Sequence, residues 1–243
     1  GGREWEGGVE AGRGCWCVER CVFGGGRLLT WSKLRFHPSL LDGDLPIPMV
    51  EGREEDPRRL LQDDPPILSA DRQAKDLRLV VTAFATDRAL IARYLVRNGG
   101  KSPRSATLYL ALRPFQVNPP AQFLNTPGGV APISSVRREG RTVLVNDAPG
   151  NKALGSDVAD PPGRGLLLLT VPSGFGAMSF DQGDLTADFL RYDRIPESQS
   201  VQDPFARASG VLAYRLVLAP ARNARLPCRS RSRGRRRKRT RSH

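Results

Sequence analysis

The stretch SATLYLALR, Ser105 to Arg113, constrains the fold more than any other part of the chain. Ala106, Leu108, Leu110 and Leu112 recur at every second residue, with Thr107, Tyr109, Ala111 and Arg113 between them. Side chains of an extended strand alternate between two faces, so this period of two predicts a strand with one face on a core. A helix would gather every third or fourth residue, and no long stretch of the chain repeats that way.

Further segments read as strands on the same ground. They are RLLTWSKLRF (Arg27–Phe36), LRLVVTAFAT (Leu77–Thr86), IARYLVRN (Ile91–Asn98), RTVLVN (Arg141–Asn146), GLLLLTV (Gly165–Val171), TADFLRYD (Thr186–Asp193) and VLAYRLVLA (Val211–Ala219). In the first, Leu28, Thr30, Ser32, Leu34 and Phe36 share a face. NGGKSP, between Asn98 and Pro103, has the glycines of a hairpin loop. Proline-rich joints such as LPIPMV, DDPP, NPP and DPPGRG punctuate the rest. Short strands with Pro/Gly turns and few helices predict a mainly β fold: an antiparallel β-sandwich with irregular Pro/Gly-rich loops and disordered termini.

The organisation follows. Residues 1–26, with nine glycines and no period, read as a disordered head. Residues 27–221 form the sandwich, with 53–76 a charged surface insertion, and 222–243 are a disordered Arg-rich tail. Neither end carries enough apolar surface to offset the entropy of ordering it. Both ends also have the Arg, Gly, Pro, Ser, Cys and Trp flavour of a GC-rich gene read in a shifted frame, and the chain reads as a fragment.

The net charge is +13, but residues 222–243 hold eleven Lys or Arg and no acid, so residues 1–221 carry 13 − 11 = +2. Nucleic acid is therefore expected as a partner only through the tail, and there only non-specifically. No aromatic residue is interleaved in the tail for base stacking. The longest apolar run, Leu108–Leu112, is far short of the ~20 residues of a membrane helix. No membrane partner is expected.

Few residues offer chemistry. Cys15, Cys17, Cys21 and Cys228 have C-x-C-x3-C spacing with only His37 and His243 besides, a poor match to a tetrahedral zinc site. The cysteines read as incidental, and no metal or cofactor is expected. Asp181, Asp184 and Asp188 lie close in sequence, as an acid–base pair would, yet exposed turn residues or caps have the same spacing. Ser173 and Ser179 stand in a glycine-bearing loop without the G-x-S-x-G elbow, and His37 precedes Pro38 in a turn-like context. No catalytic residue is assigned, and no turnover by this chain alone is expected.

LALRPFQVNPPAQFLNTPGGV, Leu110 to Val130, is the candidate binding segment. Arg113, Phe115, Gln116, Asn118, Gln122 and Asn125, with Tyr109 and Phe123, mix flat rings with amide and guanidinium forks. Such groups cover sugar C–H faces and hydrogen-bond hydroxyls. Equally, Pro114, Pro119 and Pro120 force an extended crossing in which amides satisfy backbone groups. Composition leaves both readings open.

Together, RLLTWSKLRFHPSLLDGDLPIPMV, LRLVVTAFAT, LYLALRPFQVNPPAQFLNTPGGV and FGAMSFDQGDLTADFL with PESQSVQDPFARASGVLAYRLVLAP give the chain a resemblance over roughly Arg27 to Pro220. It resembles the β-sandwich region of bacterial discoidin or coagulation factor 5/8 type domain-containing proteins. There a carbohydrate-phosphorylase-like sandwich precedes a six-hairpin glycosidase-like barrel. The resemblance implies a non-catalytic portion of a carbohydrate-active, glycoside hydrolase-like parent. Its partners would be a helical barrel and carbohydrate, met through Arg113, Phe115, Gln116, Asn118, Gln122 and Asn125. The charged insertion and the abrupt change of text after Pro220 depart from the pattern.

Overall fold

The computed structural model describes residues 9–10, 16–30, 34–41, 45–54, 77–85, 89–116, 129–147, 164–181 and 185–220. In chain order the strands are β1 (Val9–Glu10), β2 (Cys17–Gly24), β3 (Arg27–Leu29), β4 (Leu34–Leu41), β5 (Leu45–Glu54), β6 (Leu77–Ala85), β7 (Leu90–Asn98) and β8 (Arg104–Arg113). They continue with β9 (Ile133–Glu139), β10 (Thr142–Asp147), β11 (Arg164–Leu167) and β12 (Gly174–Met178). Then come helix α1 (Leu185–Arg191), β13 (Ser200–Gln202) and β14 (Ser209–Leu218).

The fold is mainly β, with three antiparallel sheets in a sandwich-like arrangement. The central sheet runs β1-β2-β8-β14-β12, with β3 folded back on β2. The second runs β4-β5-β6-β7 and the third β11-β10-β9-β13. β8 lies between β2 and β14, and its residues from Ala106 to Arg113 are all buried.

The phase read from the sequence holds. Ala106, Leu108, Leu110 and Leu112 lie in the main core with Leu77, Leu79, Val81 and Val96 of the second sheet and Ile133, Val136, Val143 and Val145 of the third. Two smaller sheets thus share one face of the central one. Tyr109 and Ala111 face the other way, with Cys21, Leu28, Val211 and Ala213 beneath Leu190 of α1. Burial on both faces replaces the half-buried strand expected from alternation. Each fully buried aliphatic side chain contributes about 1.5–3 kcal/mol.

Several expectations are corrected. Arg27–Phe36 is two strands in different sheets, because β3 pairs with β2 while Leu34 opens β4. Leu28 and Leu29 are both buried, one in each core cluster. NGGKSP does not close a hairpin: both edges of β8 are taken by β2 and β14, so the loop turns a corner between sheets. Buried Asn98 braces that corner, donating from Nδ2 to Ser102 O (2.8 Å) and accepting from Gly100 N (2.9 Å). TADFLRYD holds all of α1 but its first residue, since Thr186 and Leu190 are buried four residues apart and Asp188 pairs with Arg191.

The supposed joint LPIPMV is the first part of β5, and His37-Pro38 lies inside β4. Within the expected structureless head, Cys17–Gly24 is a strand of the central sheet, in register with Arg113 to Ala106. Pairing along β8 and burial of Trp16, Val18 and Val22 outweigh the glycine-rich context. Of the expected surface insertion, Arg53 and Glu54 belong to β5, and 55–76 lie outside the described residues. The tail, 222–243, lies outside them as well.

Candidate functional site

Arg113 ends β8 on the face turned toward α1. Its Nε donates to Asp181 Oδ2 at 3.1 Å and its Nη1 to Glu19 Oε2 at 2.9 Å. The guanidinium also lies over the Phe115 ring, 5.2 Å from its centroid. Asp181, just past β12, has no exposed surface. Its Oδ2 also accepts from Thr186 Oγ1 of α1 at 2.5 Å and Ser209 Oγ of β14 at 2.9 Å. Burial works against the charge of Arg113, but Glu19 and Asp181 outweigh it and the guanidinium pKa is raised. This cluster pins β2, β8, β14 and α1 together. Sealed from solvent and saturated at Oδ2, Asp181 is placed as a structural anion rather than a proton carrier.

The remaining expected binding residues divide. Gln116 donates from Nε2 to Val130 O at 2.9 Å, and its backbone N to Gly129 O at 2.8 Å. Phe115 forms a β-bridge with Val130 and is half-buried. In these residues the rings and amides serve the fold. Asn118, Gln122, Asn125 and Phe123 lie outside the described residues.

The aspartate group is not assembled in the described residues. Asp181 is buried, Asp188 is exposed and paired with Arg191 at 2.9 Å, and Asp184 lies outside them. Ser173 Oγ accepts from Arg215 N at 3.0 Å. Cys17 and Cys21 are buried thiols of β2 rather than incidental, and burial followed by Glu19 pushes the Cys21 thiol up to about 12. Cys15 and Cys228 lie outside the described residues, and among those described no group of three or more His, Cys, Asp or Glu could hold a metal ion.

An aromatic pair that strand periodicity does not reveal stands at the surface. The rings of Phe180 and Phe205 lie 5.0 Å apart at 53°, and are 39% and 68% exposed. Both are held by buried Asp203, which accepts from the Phe205 N at 2.7 Å and from the Phe180 N. Asp203 N in turn donates to Ser134 O at 2.8 Å. Phe180 and Ala206 adopt left-handed φ values of 52° and 55°. Such backbone costs of order 1–3 kcal/mol at a non-glycine residue and persists only where the surroundings enforce it. The signal available in the sequence is QDPFARAS, a Phe in an Asp-Pro turn with no apolar neighbours in phase.

Geometrically, the pair is a small ring platform fixed to the sheet by hydrogen bonds. It offers apolar area at little ordering cost, which suits a ligand with C–H faces. Compared with known proteins, the chain matches no family model and no curated sequence.

Proposed function

We propose that the chain is the non-catalytic β-sandwich portion of a bacterial carbohydrate-active, glycoside hydrolase-like protein, packing beside a helical barrel and contacting saccharide. The observation that carries the saccharide contact is the exposed, hydrogen-bond-anchored Phe180–Phe205 pair. Buried carboxylates among the described residues support a role without catalysis: Asp181 and Asp203 both spend their oxygens on internal donors. Leu167, Leu169 and Val171 support the packing role. They are exposed at every second residue on and beyond the edge strand β11, an apolar row suited to a partner's surface.

Titration of the full chain with neutral oligosaccharides, followed by NMR or calorimetry, tests the reading. Binding that weakens on Phe205→Ala supports it. No binding by the folded chain, or binding indifferent to Phe205→Ala, rejects the aromatic platform.

A further inference from the structure

The second sheet carries a row of arginines that no sequence period reveals. Its register pairs Arg35 with Arg53, Arg53 with Arg78, and Arg78 with Arg97. Residues directly opposite one another in antiparallel strands share a face. Four arginine positions therefore fall in register, one on each of β4, β5, β6 and β7, and the side chains of two of them, Arg78 and Arg97, are described. With strands about 4.8 Å apart, the row is about 14 Å long. The alternate positions, Leu77, Leu79, Val81 and Val96, are those that enter the main core, so Arg78 and Arg97 are on the outward face.

Arg78 and Arg97 remain accessible to solvent. Arg78 reaches Glu51 only at 3.8 Å and its side chain remains 49% exposed. Arg97, and Arg93 on the same face of β7, are exposed and form no ion pair with a described residue. Like charges placed opposite one another destabilise a sheet, and Arg78 and Arg97 are directly opposite. At its β6–β7 end the row opens on a cleft of about 520 Å³, lined by Arg78, Arg97, Asn98, Val217 and Leu218, where the second sheet meets β14.

Guanidinium forks match the planar or tetrahedral oxygens of carboxylate and sulfate groups. We infer that this face binds an acidic saccharide chain, one bearing carboxylate or sulfate groups, through Arg78, Arg97 and Arg93 and the cleft beside them. The inference rests on the saccharide reading above and names the class of sugar. Single-stranded nucleic acid fits less well, because it is held by aromatic stacking. Neither the row nor the next one along the face, His37, Glu51, Val80 and Leu95, contains Phe, Tyr or Trp. A flat sheet face also does not enter a duplex groove as a helix or ribbon does.

The experiment compares the full chain with its Arg78→Ala/Arg97→Ala variant, so that the Arg-rich tail is common to both. Each is titrated with dextran sulfate oligomers, oligogalacturonate, neutral dextran oligomers and a single-stranded oligonucleotide over a series of salt concentrations. The acidic sugars should bind the parent and lose on the order of tenfold in the variant, with a salt slope smaller by roughly two. The melting temperature of the variant should match or exceed the parent's, showing that the fold is intact and that repulsion in the row has been relieved. Acidic sugars bound through the row while neutral ones are ignored would support this inference and reject the Phe180–Phe205 platform. Equal binding of acidic sugars by parent and variant overturns the inference. So does tighter, variant-sensitive binding of the oligonucleotide, which would assign the row to nucleic acid.

Discussion

Arg113 Nε lies 3.1 Å from Asp181 Oδ2 in a region closed to solvent, sixty-eight residues apart in the chain. Glu19 takes a second guanidinium nitrogen. Such a pair contributes little net stability when intact but is costly to break, since one buried charge is left alone. Arg113→Met should destabilise the fold by about 3–5 kcal/mol, read from urea unfolding. Adding Asp181→Asn to that variant should recover part of the loss. A loss under about 1 kcal/mol would mean the site is wetter than the structure shows.

Alkaline pH should unfold the chain. Burial, then Glu19, raises the Cys21 thiol from 9.0 to about 12, and burial raises the Tyr94 phenol from 10.0 to about 12. Tyr109 is raised as well, by burial and then by its hydrogen bond to Asp193. In each case the folded chain keeps a proton that the unfolded chain has lost. Stability is thus fully present below pH 9 and falls as pH rises toward 12. A tenfold difference in proton affinity between the folded and unfolded chain corresponds to about 1.4 kcal/mol. Circular dichroism against pH should show a cooperative loss in that window, and Cys21→Ala should move its onset upward.

Gly176 admits no side chain. A Cβ there would fall on the carbonyl of Pro196, which is backbone and cannot turn aside. Gly176→Ala should cost about 1–3 kcal/mol or more and separate β12 from the 195–199 segment that crosses it. At Gly165, where the nearest atom to a Cβ is 3.5 Å away, alanine should be tolerated. Comparing the two melting temperatures checks the contrast.

Deleting residues 222–243 removes eleven cations. Affinity for a random oligonucleotide should drop and its dependence on salt should flatten. Affinity for a neutral oligosaccharide should be untouched. If both fall together, the tail belongs to the sugar site.

Much of the central strand is legible from sequence, because alternation in Ser105–Arg113 reports directly on which side chains share a face. Which strands lie beside it is not. Pairing of β8 with β2 joins Arg113 to Cys17 across almost a hundred residues, and strand periodicity carries no information about partners. The glycine-rich surroundings of β2 hide a core strand, and a buried i, i+4 pair in α1 mimics alternation. Of the binding segment, the half that continues β8 has the expected phase, and Arg113 and Gln116 make hydrogen bonds within the fold that periodicity does not reveal. Phe180 and Phe205 are brought together only by the turn around Asp203. The arginine row is the extreme case: residues 35, 53, 78 and 97 become neighbours solely through sheet register.

The backbone bonds from Gln116 N to Gly129 O and from Ala131 N to Pro114 O clasp the two ends of residues 117–128 like a buckle. Doubling the length of that segment adds only about 0.6 kcal/mol of closure entropy. The clasp thus makes the exit of β8 through Pro114–Gln116 nearly independent of how much chain separates its two ends, so a longer connection should leave the register of β8 unchanged.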